Sequence, residues 1–175
     1  MNSLVQFKAD KRIFLLFSAL NMCGYDFENN KKGMHPIRVK VRQELKRKHL
    51  STITDSKRYF DKCDRNVSEF VIWALHYSDP PQLERNQKEW FGRIPESDFA
   101  GFENVLSKFY FEAGIEDIWN QCLPTYKEEI ERYEESTKKE VSYMLEYLKL
   151  NELPSERIIH IPNFLDSYWV GYGPK

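Results

Sequence analysis

The sequence predicts a mainly α fold, a multi-helix domain of about six helices with a short C-terminal β-hairpin or pair of strands. Three observations carry that expectation. Apolar residues recur at steps of three and four over most of the chain, the mark of helices with one buried stripe. Glycine, proline and short polar clusters fall at the ends of those runs, where helices stop and turns begin. In the last twenty residues the helical spacing gives way to β-branched and alternating segments.

The first run is residues 13–20, IFLLFSAL. Ile13, Leu16, Phe17 and Leu20 share a face, Asp10 is placed to cap the helix and Gly24 to stop it. Because Lys8, Lys11 and Arg12 come just before, the run also has the look of a secretory h-region, which would make the protein an exported one. Asp10 inside the basic stretch, the short apolar length, and Asn21 and Met22 ahead of Cys23 favour a core helix. Polar residues 26–33 then read as a loop.

A second helix starts at His35 and Pro36, since proline suits a first turn, and its stripe is Ile37, Val41 and Leu45. Asn66 and Glu69 have the spacing of a loose capping box ahead of Phe70, Val71, Ala74 and Leu75, with Asp79, Pro80 and Pro81 as the stop. The next helix begins around residues 95–98, aligns Phe99, Phe102, Leu106, Phe109 and Ala113, and ends at Gly114. A helical turn with Ile115, Ile118 and Trp119 follows. Pro124 breaks or restarts the pattern. Ile130, Tyr133, Val141, Met144 and Leu148 then trace one face of a long helix or a kinked pair, which Asn151 and Pro154 end.

Residues 157–161 (RIIHI) and the alternation of Tyr168, Val170 and Tyr172 read as two strands. The expected division is a helical domain over residues 1–155 and a β segment over 156–175, the start of a following catalytic domain. Two strands alone are marginal in water, so completion of the sheet by a missing C-terminal domain, a partner strand or a second copy at this edge is expected.

Composition narrows the function classes. With 41% apolar residues, 12 Phe, 10 Tyr and 4 Trp, a chain of 175 residues can bury one core, which excludes wholesale disorder. A formal net charge of -1 supplies no global field toward nucleic acid or an anionic membrane, and neither is expected as a partner. No run approaches the roughly 20 apolar residues of a membrane span. Cys23, Cys63 and Cys122 form no CxxC pair and are odd in number, which points to buried thiols in a reducing, cytoplasmic setting.

Candidate chemistry is sparse. The histidines His35, His49, His76 and His160 include no pair at helical ligand spacing, so neither a metal nor any other cofactor is expected in this chain. His35 reads as a helix cap and His76 as a helix-end residue. There is no GxSxG and no glycine-rich phosphate loop, so no catalytic residue is assigned. Glu112, Glu116 and Asp117 cluster across a helix break and read as a solvated acidic face. Arg38, Lys40, Arg42, Lys46, Arg47 and Lys48 spread around the non-apolar arc of their helix without interleaved aromatics, which favours a solvated face over phosphate binding.

Taken in order, the helix of residues 10–25 (DKRIFLLFSALNMCGY), HPIRVKVRQEL, FVIWALHYSDPPQL, FENVLSKFYFEAGIEDIWNQCLPTYKEEIERY and the closing NFLDSYWVGYGPK resemble the N-terminal half of the DUF4932-type proteins. Those proteins look like gluzincin-type metallopeptidases, with an HExxH zinc helix in the second half. No HExxH occurs here, so the resemblance implies zinc only for a missing C-terminal half. It also implies, by analogy with gluzincins, that Tyr168, Gly171, Tyr172 and Gly173 lie on an edge strand that meets extended substrate. Two functions follow as expectations: the non-catalytic helical front of a metallopeptidase-like protein, shaping one wall of its cleft, or a helical protein-interaction module completed by a partner strand.

Overall fold

The computed structural model describes residues 5–25, 34–149 and 158–166. The fold is mainly helical, at 66%, with six α-helices and one small two-stranded sheet among the described residues. Contacts divide it into two compact units, one drawn from Lys11–Asn120 and Asn163–Lys175, the other from Met1–Asp10 and Gln121–Pro162.

In the first unit, helix α1 (Lys11–Leu20) is central. It packs against α3 (Ile53–Lys62), α4 (Val67–Leu75) and α5 (Phe102–Ala113). Every residue from Ile13 to Leu20 is buried, because a helix that is apolar all round gains most from being surrounded. Ser18, the polar exception, donates to the Phe14 carbonyl at 2.8 Å. Gly24 takes φ 99°, in the left-handed region that a residue without Cβ enters freely, and the chain turns there.

Helix α2 (Pro36–Lys46) begins as expected, with His35 at the N-cap accepting from the Ile37 amide at 3.2 Å, and it buries Ile37, Val41 and Leu45. Helix α3 was not apparent in the sequence. Its buried face consists of Ser56 and Phe60, too narrow a stripe to stand out in ITDSKRYFDK. Asn66 occupies the N-cap position of α4, but the expected capping box does not form, since Asn66 makes no side-chain cap bond. Glu69 instead turns into the interior and accepts from the amides of Arg93 (2.8 Å) and Ile94 (3.2 Å), loop groups that need an acceptor once removed from water.

Helix α5 follows a short 3-10 turn (Glu96–Phe99) and ends at Gly114, φ 58°. Phe99, Phe102, Leu106, Phe109 and Ala113 are all buried as the spacing predicts. Their rings meet those of α4: Phe102 lies 4.8 Å from Trp73 and 5.3 Å from Phe70, both edge-on. Phe111, on the opposite face of α5, is 67% exposed.

Helix α6 (Ile115–Leu148) runs 34 residues without the break expected at Pro124. A proline removes one bond of the ladder, that to the Asn120 carbonyl, and here the turns on both sides are held by buried Trp119, Cys122 and Tyr126. The short turn and the later helix are therefore one element, which offsets the unforeseen α3 in the count of six.

In the second unit, β1 (Val5–Phe7) and β2 (Ile158–His160) pair in parallel, Val5 opposite Ile158 and Phe7 opposite His160. The strand in RIIHI is therefore present, and among the described residues its partner comes from the N-terminal end of the chain; the expected second strand of Tyr168, Val170 and Tyr172 lies outside the described residues. A parallel pair needs no tight turn, so nothing in the local sequence announced it. Among the described residues, no helix is long and apolar enough to cross a membrane.

Candidate interaction surface

The charged groups singled out in the sequence mostly serve helix ends. Glu112 accepts from the Thr52 amide (3.1 Å), the Thr52 hydroxyl (2.9 Å) and the Ser51 hydroxyl (2.5 Å), and so satisfies donors at the start of α3. Lys48 donates to the Ala113 carbonyl at 2.5 Å and closes the end of α5. Arg12 donates to the carbonyls of Leu75 (3.3 Å) and Tyr77 (2.9 Å) at the end of α4.

Glu116 takes a different set of partners, with Lys11 at 2.8 Å and the hydroxyl of Tyr110 donating to it. The acidic cluster is thus divided between two separate anchor points, with Asp117 left exposed. Hydrogen bonds set the protonation of both anchors: the Ser51 hydroxyl holds Glu112 below the usual carboxylate range, and Lys11 and then Tyr110 do the same for Glu116. A carboxylate held ionised in this way is suited to accepting bonds and poorly suited to delivering a proton. Burial, then the bond to Glu116, pushes the Tyr110 phenol up.

The basic residues of α2 divide as well. Lys46 and Arg47 are exposed as expected, but Arg38 is buried at 5% exposure, which corrects the reading of that arc as uniformly solvated. Near it lies a polar cluster the sequence did not reveal. The Tyr25 hydroxyl donates to Asp166 at 3.0 Å, the Asn21 side chain donates to the Leu165 carbonyl at 3.1 Å, and Asn163 accepts from the Leu165 amide at 3.1 Å. These groups are far apart in sequence, and the only local signal was the turn-forming Asn163.

The histidines are scattered. His35 stacks on Phe164 at 4.4 Å, His49 and His160 are exposed, and buried His76 lies between the carbonyls of Ile72 (2.7 Å) and Glu89 (2.8 Å). Among the described residues no three His, Cys, Asp or Glu side chains gather as a metal would require. The three cysteines are buried and free. Burial pushes the Cys23 thiol up to about 12 and raises that of Cys63. The substrate-edge residues Tyr168, Gly171, Tyr172 and Gly173 lie outside the described residues.

Among the described residues, the second half of α6 keeps apolar side chains partly exposed. Its first turns bury Ile115, Ile118, Trp119, Cys122 and Tyr126, after which burial stops although the apolar spacing continues. Tyr133 is 41% exposed with Phe7 stacked on it, Met144 43% and Leu148 50%, while Val141 and Leu145 are half-buried. Tyr143 and Tyr147 stand further into solvent. This stretch stays helical through local pairs at helical spacing: Glu129 with Arg132 (3.0 Å), Glu134 with Lys138 (3.7 Å) and Glu135 with Lys139 (2.8 Å). Val141, Met144, Leu145 and Leu148 have the i, i+3, i+4, i+7 spacing by which one helix anchors in the groove of a partner. No protein-family model, curated protein or solved structure matches this chain.

Proposed function

We propose that this chain is a non-catalytic protein-interaction module whose docking element is the second half of α6. One observation carries the reading: Val141, Met144, Leu145 and Leu148 form a continuous apolar face on a helix, and that face keeps substantial exposure. Isolated exposed apolar residues are ordinary, but a contiguous face rimmed by charge marks a contact surface. Tyr147, three residues after Met144 and so its neighbour on the helix surface, is of the residue type that anchors interfaces.

The sheet supports strand addition as a second mode of the same function. β1 and β2 are the two strands found among the described residues, and a pair is marginal without a third. The wall of a metallopeptidase cleft is a reading supported by the resemblance alone, and the residues it would place against substrate, Tyr168, Gly171, Tyr172 and Gly173, lie outside the described residues.

The test is site-specific photocrosslinking in the native host. A crosslinking amino acid at position 144 is expected to capture a defined protein, while the same group at position 111, exposed but on α5, captures none. Equal yields at the two positions would sink the proposal.

A further inference from the structure

Resting on that reading of α6, we propose that the partner of this face is a second copy of the chain, docked antiparallel through residues 137–148. Thr137, Val141, Met144 and Leu148 follow one another at steps of four, three and four, the a/d seam of a helix pair. In an antiparallel pairing Thr137 lies opposite Leu148 of the second copy, and Val141 opposite Met144. The two-fold axis repeats both layers, so the seam is complementary to itself.

Charge decides the direction. Glu134 flanks the seam at one end, and Lys149 lies one residue past the helix at the other. Antiparallel docking brings Glu134 of each copy toward Lys149 of the other, so the pair forms twice. Parallel docking sets Glu134 against Glu134 and Lys149 against Lys149. Glu134 already has a long 3.7 Å contact with Lys138, whose side chain is 63% exposed, so a closer cation can compete for it. The face is short, which makes the dimer a weak and concentration-dependent one.

Sedimentation equilibrium on the full chain from about 1 μM to about 1 mM provides the test. The wild type is expected to show a reversible monomer–dimer equilibrium, and Val141→Asp to be monomeric with an unchanged helical circular dichroism spectrum. Glu134→Lys or Lys149→Glu alone should each weaken dimerisation about fivefold, and the two together should restore it, because the exchanged charges again meet across the axis. A wild type that is monomeric throughout overturns the proposal, as does a double variant no tighter than the single ones. A monomer whose position 144 still crosslinks to a different protein overturns the second-copy partner alone. A monomer without that crosslink removes the interaction reading as well.

Discussion

Phe102→Ala is the perturbation that tests the core most directly. The ring has 0% exposure and lies 4.8 Å from Trp73, 5.0 Å from Tyr59, 5.3 Å from Phe70 and 6.5 Å from Phe99. Returning a fully buried phenylalanine side chain to water costs about 2 to 3 kcal/mol. The two edge-on contacts, to Trp73 and Phe70, add about 1 to 2 kcal/mol together. The sum, about 3 to 5 kcal/mol, agrees with the range for aromatic truncations in packed cores. Set against a total of about 5 to 15 kcal/mol for an ordinary domain, the loss is a large fraction of stability.

Urea unfolding followed by tryptophan fluorescence reads the change, with the slope as a check that the transition is unaltered. Phe102→Leu separates the contributions. It keeps most of the apolar volume while losing the ring contacts, and about 1 to 2 kcal/mol is expected. Phe111→Ala, on the exposed face of the same helix, should change stability by less than about 0.5 kcal/mol. A Phe102→Ala midpoint within about 1 kcal/mol of wild type at unchanged slope would refute the packing described for α4 and α5.

On the acid side, Glu112 and Glu116 are depressed carboxylates, so the stability they contribute is present above the ordinary carboxylate range and lost as pH falls through their folded values. Glu112→Gln and Glu116→Gln should therefore flatten the acid limb of stability against pH, and wild-type slopes in both variants would count against these anchors. Cys23, Cys63 and Cys122 should resist alkylation in the native protein near neutral pH and react fully on unfolding, because all three are buried out of reach and burial also raises the Cys23 and Cys63 thiols; rapid native labelling would contradict their placement. Glu69→Gln should speed hydrogen exchange at Arg93 and Ile94 about tenfold, since a neutral amide holds those two donors less firmly. Unchanged exchange would mean that the loop is held by other groups.

Legibility varied with the range of the interaction. The helices with broad apolar stripes, α1, α2, α4 and α5, could be read because periodicity reflects burial of a face, and Gly24, Gly114 and His35 end or begin elements through local backbone chemistry. Helix α3 could not be read, because Ser56 and Phe60 are buried by neighbours distant in sequence and its own residues favour a helix weakly. At Pro124 the local rule was overridden by packing of the flanking turns.

What the amino-acid order determined by itself was the class of fold, the buried aromatic face of α5 and the apolar stripe of α6, since each depends on spacing along one helix. Only the tertiary structure decided where that stripe ends its burial, that β2 pairs with β1, and that Glu69, Glu112 and Glu116 hold other elements in place. The physical reason is common to all three. Exposure, strand pairing and the partner of a charge are set by residues remote along the chain, and a single helical or strand period carries no record of them.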